Sequence, residues 1–439
     1  MITFKRAVTW LVVVLLGLNL AVAAKIYSAA TTTADKNDPY EYFKIMAQVM
    51  ELIRTNHVDG DSATYQQLTY DALQGMMSSL DPHSQFMEPV AYKDMQDDTG
   101  GKFGGLGIVI SMSKEGFLTV VAPMEDTPGA KAGLLPGDRI IKIDGRSTEK
   151  MSLQDAVRSL RGDPGSKVTI TVFRPKAKDP QVKVKDHVIE RAEIKVDSVK
   201  DAKILQDGIG YIRITQFNEP TADEFEKALD KLEKQGMDSL IIDLRNNPGG
   251  LLDAAIRISS KFIPRGELVV STEGRDPKQQ QRYFAVGGKK RGNYPIAVLV
   301  NGGSASASEI VSGALQDVKR AVLVGETTFG KGSVQSILKL PDGSALRMTT
   351  AKYYTPSHKV IHEHGVVPDI IVPISDEVER KLMEQRVREK LPPSEDGERE
   401  KIEKVADEQL DRAVDLLKGI KLFAKQTKLS RPGKTAAVK

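Results

Sequence analysis

The sequence predicts an α/β and α+β multidomain chain, and three patterns carry that expectation. Between about Ile189 and Pro373 apolar strands alternate with amphipathic helices, the signature of a mainly parallel sheet with crossover helices. Between about Gly100 and Arg174 the pattern changes to short strands separated by glycine turns. On either side lie stretches with helical spacing. At 439 residues the chain has room for about three domains.

Bulk properties exclude several function classes. Hydrophobic residues make up 40%, enough for large cores. Lys+Arg 63 against Asp+Glu 59 leaves +4 with no concentrated basic stripe, so no nucleic acid is expected as a partner. With no cysteine there is neither a disulfide nor a thiol-linked lipid anchor. The six histidines are scattered, and His362-Glu363-His364 reads as a surface loop, so neither metal nor other cofactor is expected.

Taken in order, residues 1–24 read as a signal peptide or membrane anchor. Lys5 and Arg6 precede an apolar run from Ala7 to Ala24, short for a span, and Ala21-Val22-Ala23 offers a cleavage signal. Cleavage after Ala23 is the preferred reading, an uncleaved anchor the alternative; both place the body outside the cytoplasm, in the periplasm or on the extracytoplasmic face. Residues 25–37 are a polar linker. A helical segment over 38–95 carries Phe43, Met46, Val49, Met50 and Ile53 on one helix and Tyr65, Leu68, Ala72, Leu73, Met76, Met77 and Leu80 on a second. Two such helices cannot bury their own faces, so they are expected to pack on another domain or on a second copy.

The β-rich segment, 96–180, contains Phe103-Gly-Gly-Leu-Gly-Ile-Val-Ile110, Phe117–Val121, a long glycine-punctuated run from Thr127 to Gly145, a helix over Leu153–Leu160 and a strand over Lys167–Phe173. Together these resemble a PDZ domain. Successive amides over Gly104, Gly105, Leu106, Gly107 and Ile108 can point into one concavity and hold a terminal carboxylate, with the peptide added as a strand beside them. Arg161 reads as a surface arginine, with contact to an anionic tail as the alternative. A charged linker with Lys176, Lys178, Lys183 and Lys185 leads into the core, 181–374. Its strands are Ile209–Ile214, Ser239–Asp243, Ile296–Val300 and Arg320–Val324, with hairpin pieces near Gln335–Leu340 and Ala345–Thr350. Its helices are Ala222–Lys234, Leu251–Ile263 and Ser306–Asp317. A helical region over 375–425 carries Ile402, Val405, Leu410, Val414 and Leu417 on one stripe. The basic tail 426–439 is expected to be disordered.

The chemistry concentrates in Asn301-Gly-Gly-Ser-Ala-Ser-Ala-Ser-Glu-Ile310 and Gly330-Lys-Gly-Ser-Val-Gln335. Ser306 and Glu309 fit the capping-box spacing, which puts the Ser306 hydroxyl at a helix start beside unpaired amides, where the Ala307 N–H can stabilise an oxyanion. On this stretch alone Ser306 reads equally as a cap and as a nucleophile. The chain has no cysteine and no well-placed histidine, which leaves Lys331 as the candidate base. An ordinary lysine is neutral in only about one molecule in 2,500 at pH 7, so the role requires burial away from carboxylates. No acidic residue lies within four positions of Lys331. Were the strand to begin at Lys331, Lys331, Ser333 and Gln335 would share a face, and Gln335 could orient the amine or hold substrate. Gly249 and Gly250, in Asp243-Leu-Arg-Asn-Asn-Pro-Gly-Gly250, can supply a second oxyanion amide. Gly325–Lys331 matches the start of a phosphate loop, but Gly332 stands where a serine or threonine is needed and strand-like residues follow.

These stretches, with Gly313-Ala-Leu-Gln-Asp317 and Leu80-Asp-Pro-His-Ser84, resemble the carboxyl-terminal processing peptidases, or tail-specific proteases. The resemblance spans nearly the whole chain beyond its leader. It implies a crotonase-like α/β protease core with an inserted PDZ domain. It implies Ser306 as nucleophile, Lys331 as base 25 residues later (331 − 306), Gln335 as the assisting residue, and Ala307 with the Pro-Gly-Gly turn as oxyanion site. The expected function is an exported serine endopeptidase acting on proteins or peptides with accessible C-termini. Partnership with a second copy through the helical segments, and with an activating adaptor, is left open.

Overall fold

The computed structural model describes residues 38–429 except 114, 176, 178, 180–182, 288–290 and 390–404. The leader (1–24), the linker (25–37), Ile402 and residues 430–439 of the tail lie outside the described residues. No helix among the described residues is long and apolar enough to cross a membrane. The chain divides into two units, ending and beginning at Leu80 and Asp81.

The smaller unit holds two helices, Pro39–Asn56 and Tyr65–Ser78, each started by a side-chain cap, Asp38 on the Tyr40 N–H and Thr64 on the Gln67 N–H. The first helix has no buried residue, and Phe43, Ile45 and Leu52 are more than half exposed. Its apolar stripe forms no buried core among the described residues.

In the larger unit the parallel sheet appears as the alternation predicts. Its order is Val199–Ile204, Ile209–Ile214, Ser239–Asp243, Ile296–Val300, Val322–Gly325 and Ile370–Ile371, all parallel except the first pair. Because side chains alternate along a strand, Leu240 and Ile242 pack on one face against Phe225, Leu229, Ile310 and Val311. Ile241, Ala297 and Leu299 face the other way, onto Ala413, Val414 and Leu417 of the helix Glu408–Leu429. The C-terminal stripe is therefore the second cover of the sheet, and its helix runs to Leu429, past the expected start of disorder at 426.

A second, antiparallel sheet was not foreseen in full. Ala345–Tyr354 pairs with Ser333–Lys339 along one edge and with Gln85–Met87 and Leu268–Gly274 along the other. The strand Gln85–Met87 and the helix Pro89–Gly100 fall inside the segment expected to be an N-terminal helical domain, yet belong to the larger unit. Phe86 and Met87 are the reason: both are buried, in a strand too short to show periodicity.

The inserted β-rich domain is a sheet ordered Ile108–Met112, Leu118–Pro123, Arg139–Ile143, Lys167–Phe173 and Val184–Glu190, with the helix Leu153–Leu160 on its core. The expected charged linker is here corrected: Val184–Glu190 pairs along the whole of Lys167–Phe173. Its lysines and acids sit on an edge strand, where charge is tolerated and discourages further pairing. The chain enters and leaves through Lys102–Gly105 and Ala192–Lys195, which pair with each other as a two-stranded ribbon.

One buried ionic network straps the C-terminal helices to the sheet. Arg245 donates to both oxygens of Asp243 (3.0 and 2.8 Å) and to both of Asp407 (2.7 and 2.9 Å), and the Tyr211 hydroxyl donates to Asp243 at 2.7 Å. Burial alone would raise the Asp243 carboxyl, but the Arg245 guanidinium overrides it and holds the group far below the usual carboxylate range. That stability is complete above the unfolded carboxylate value of about 4 and is lost only as pH falls below it. Arg245→Ala leaves Asp243 buried and uncompensated, so urea unfolding at pH 7 should show a loss of about 3–5 kcal/mol. A loss under 1 kcal/mol would mean the strap carries no weight.

Candidate active site

The strand Ile296–Val300 ends in the turn Asn301–Ala305, and the helix Ala307–Asp317 starts at once. Ser306, between them, has φ +55° and ψ −112°. A non-glycine residue in that region is strained, and the sharp strand-to-helix turn that imposes the strain presents the side chain outward. The three alternating serines separate here by their hydrogen bonds. Ser304 Oγ donates to Leu244 O (2.8 Å) and Ser308 Oγ to Asn247 O (2.9 Å), and both residues are fully buried. Ser306 is half-exposed.

Glu309 ties this turn to the lysine turn. Its Oε2 accepts the Ser306 N–H at 2.7 Å, the returning half of the expected capping box, and also the Lys331 N–H at 2.9 Å. Its Oε1 accepts the Gly330 N–H (2.7 Å) and the Thr328 hydroxyl (2.6 Å). Burial pushes the Glu309 carboxyl up, against the pull of these four donors. A further backbone bond, Phe329 N–H to Ser304 O at 3.0 Å, closes the junction.

Lys331 is half-buried and makes no ion pair among the described residues. Burial first, then the Arg347 guanidinium, lower its pKa below the ordinary lysine value; the Glu309 carboxylate opposes them. The strand after it begins at Ser333, two residues later than the shared-face argument supposed. A register shift between Val334 and Gln335 then breaks simple alternation. Gln335 Nε2 nevertheless donates to Ser333 Oγ (3.1 Å) and Thr349 Oγ1 (2.9 Å). Its Oε1 is buried without a hydrogen-bond partner, an acceptor left open in the site. The loop carrying His362 and Glu363 packs on the lysine turn, with Glu363 N–H on Gly330 O (2.8 Å). A Cβ on Gly332 would lie 2.2 Å from His362 N, so only glycine fits there.

The Pro-Gly-Gly turn lies directly against the serine. A Cβ on Gly249 would stand 2.8 Å from Ser306 Cβ and 2.9 Å from Ala307 N, and Gly249 has φ +100°. Its N–H is engaged by Asn247 Oδ1 at 2.9 Å. The Ala307 and Gly250 amides donate to no described residue, so of the three expected donors these two are free in this conformation. In the β-rich domain Gly107 has φ +67°, and the Leu106 and Gly107 amides likewise have no described acceptor, beside the edge strand Ile108–Met112. Gly104 is fixed by close approach, because a Cβ there would meet Gly162 O at 2.0 Å. Arg161 donates to Asp98 at 3.0 Å and lies over the Phe103 ring.

Two parts of the site escaped the sequence reading. Glu309 was visible only as a cap, since its bonds to Thr328, Gly330 and Lys331 join residues about 20 positions away. Arg347, whose charge acts on Lys331, gave no signal, because no local pattern marks it.

Comparison with known proteins gives the family. The model of peptidase family S41 matches residues 208–372, and that of the PDZ domain matches residues 119–174. The carboxy-terminal-processing protease of Bartonella bacilliformis is 42% identical over 360 residues, 81% of each chain. The carboxyl-terminal-processing protease of a Synechocystis species is 40% identical over 311 residues, 69% of this chain and 71% of that one. The carboxy-terminal processing protease CtpB of Bacillus subtilis is 36% identical over 362 residues, 81% of this chain and 73% of that one. Among solved structures, the photosystem II D1 C-terminal processing protease is 32% identical, covering 70% of this chain and 82% of that one, with a TM-score of 0.43. With a relative this similar over four-fifths of its length, the chain belongs to the carboxy-terminal processing proteases of peptidase family S41, serine-type peptidases that carry a PDZ domain.

Proposed function

We propose that the protein is an exported endopeptidase that takes hold of a substrate's C-terminus with its PDZ domain and cleaves peptide bonds with a Ser306–Lys331 dyad. The observation that carries this reading is the Glu309 junction, which fixes the serine and lysine turns on a single carboxylate. Ser306 Oγ attacks the scissile carbonyl and gives its proton to neutral Lys331, and the developing oxyanion is taken by the Ala307 and Gly250 amides. Lys331 then protonates the leaving amine, forming the acyl-enzyme. Water, deprotonated by Lys331, attacks the ester and restores the serine. In this reading Gln335 Oε1, a buried acceptor without a partner, accepts from the lysine amine and holds its direction. The free amides of Leu106 and Gly107 supply carboxylate capture, and the unpaired edge of Ile108–Met112 supplies a strand for the peptide to join. Export rests on the apolar leader read from the sequence. The exposed apolar stripe of Pro39–Asn56 supports a homodimer through the N-terminal helices.

The dyad is tested by digestion of an unfolded protein with an apolar C-terminus. Ser306→Ala and Lys331→Ala should each abolish cleavage with folding intact; activity surviving Ser306→Ala would remove the nucleophile assignment. Gly249→Ala should lower kcat by about two to three orders of magnitude, since its methyl would displace Ser306 and Ala307 from the oxyanion geometry.

Carboxylate capture is tested with paired peptides. Replacing the C-terminal carboxylate by a carboxamide should raise KM at least about tenfold, the loss of roughly one charge-assisted hydrogen bond. Equal KM for both would leave the PDZ domain without that role. For the dimer, equilibrium sedimentation of Phe43→Glu should show a shift to monomer that wild type does not.

A further inference from the structure

The strands Ser239–Asp243 and Ile296–Val300 are neighbours in the parallel sheet, and the two turns proposed to supply the oxyanion amides leave from their adjacent C-terminal ends. An asparagine stands near the start of each turn, and the two bond reciprocally. Asn301 Oδ1 accepts the Asn246 N–H at 2.9 Å, and Asn301 Nδ2 donates to Asn246 Oδ1 at 3.0 Å. Asn246 has φ +56°, a left-handed conformation that asparagine tolerates better than most side chains. A Cβ on Gly303 would lie 2.4 Å from Asn246 Oδ1, so the elbow turn closes directly against this asparagine.

A third side chain closes the pair, and it comes from the C-terminal region. Glu379 Oε1 accepts from both amide nitrogens, Asn246 Nδ2 at 2.9 Å and Asn301 Nδ2 at 2.5 Å. Glu379 lies on the helix Asp376–Glu389, beyond the residues 208–372 that match the peptidase family. On that helix Glu379, Leu382 and Arg386 follow at spacings of three and four, which places them on one face. Leu382 is buried, and the Arg386 guanidinium reaches Asp407 at 3.3 Å, so the face is held along its length. From the asparagines onward the two turns stay joined up to the reacting groups. Asn247 O accepts the Ala305 N–H (3.0 Å) and the Ser308 hydroxyl (2.9 Å), and Gly249 lies against Ser306 and Ala307.

We propose that Glu379 is a positioning residue for the reaction: by binding Asn246 and Asn301 together it sets the spacing between the Ala307 and Gly250 amides. The two amides belong to different turns, so their separation depends on what ties the turns to each other. Oxyanion stabilisation requires donors held in place before the charge develops, and a displacement of about 1 Å is enough to lose much of it. Glu379 touches no reacting atom. Its removal takes a shared acceptor from two asparagine amides, and Asn301 is buried, so the pair must rearrange to recover a partner. The helix Asp376–Glu389 is in this way part of the scaffold of the active site.

The inference rests on these amides being the oxyanion site, and the test separates the two. The full-length protein is assayed for kcat and KM on an internally quenched peptide with a free apolar C-terminus. Binding of a peptide boronate, whose adduct with a serine carries a tetrahedral anion, is measured beside it. Glu379→Ala should lower kcat at least about tenfold and weaken the boronate by a similar factor, with KM within about twofold of wild type. Glu379→Gln keeps an acceptor at Oε1 and should recover most of both losses. Glu379→Asp keeps the charge but is one methylene shorter. It should resemble Glu379→Ala, and it serves where the alanine variant does not fold. An unchanged kcat in Glu379→Ala or Glu379→Asp, or a loss as large in Glu379→Gln, overturns the proposal. Gly249→Ala is run beside them. If it leaves the boronate's affinity unchanged, the oxyanion reading itself fails; if it weakens the boronate and Glu379→Ala does not, only the role of Glu379 fails.

Discussion

The Glu309 carboxylate is the interaction on which the rest of the site depends. It is fully buried, a state that costs several kcal/mol for an ionised group unless donors replace the lost water. Four donors do so, and they come from the two segments whose mutual placement the chemistry needs: the Ser306 N–H from the elbow, and Thr328, Gly330 and Lys331 from the lysine turn. Removing any one donor leaves a buried acceptor short of a partner, so the turns are favoured together or not at all. The strain at Ser306, with φ +55°, is held by the same bond. Thr328 extends the junction by accepting the Val366 N–H at 2.7 Å, which fixes the loop that packs on Gly330 and Gly332.

Charge is placed by opposite rules around Asp243 and around Lys331. At Asp243, Arg245 and Asp407, cation and carboxylates face each other, and the result is a strap between sheet and C-terminal helix. At Lys331 the charges that act on the amine are the Arg347 cation and the Glu309 carboxylate, the latter already engaged by four neutral donors. The first arrangement stabilises ionised forms; the second leaves a lysine without an ion pair and lowers its pKa. Half-burial completes the effect, because desolvation disfavours the ammonium while leaving the amine open to a substrate.

Much of this was legible in the sequence, for physical reasons. The parallel strands Ile209–Ile214, Ser239–Asp243 and Ile296–Val300 are continuous apolar runs because both faces are covered, and such runs stand out. Ser306 and Lys331 stood out because glycine surrounds them, and the structure shows why at Gly249, Gly250 and Gly332, where a Cβ would collide with backbone. The antiparallel sheet was harder. Gln85–Met87 and Gln281–Phe284 are three or four residues long, too short for a period, and Leu268–Gly274 lies between segments with stronger patterns. Val184–Glu190 hid in a charged stretch because an edge strand has no need of apolar alternation.

The manner in which the PDZ domain is inserted bears on how binding and cleavage can communicate. A domain joined by two loose linkers would have no defined orientation, and carboxylate capture could raise only the local concentration of substrate. Here the two connectors are hydrogen-bonded to each other over Lys102–Gly105 and Ala192–Lys195, and the ribbon continues into the core through Val196 N–H on Gly101 O at 3.0 Å. Gly104 and Gly105 of that ribbon run directly into Leu106 and Gly107, whose amides are proposed to take the carboxylate. Gly104 O also accepts the Gly162 N–H at 3.1 Å, just past the end of the helix Leu153–Leu160. The carboxylate site and the connector between domains are thus one piece of backbone. A tail held at Leu106 and Gly107, as proposed, would pull directly on the strand that sets the domain's attachment.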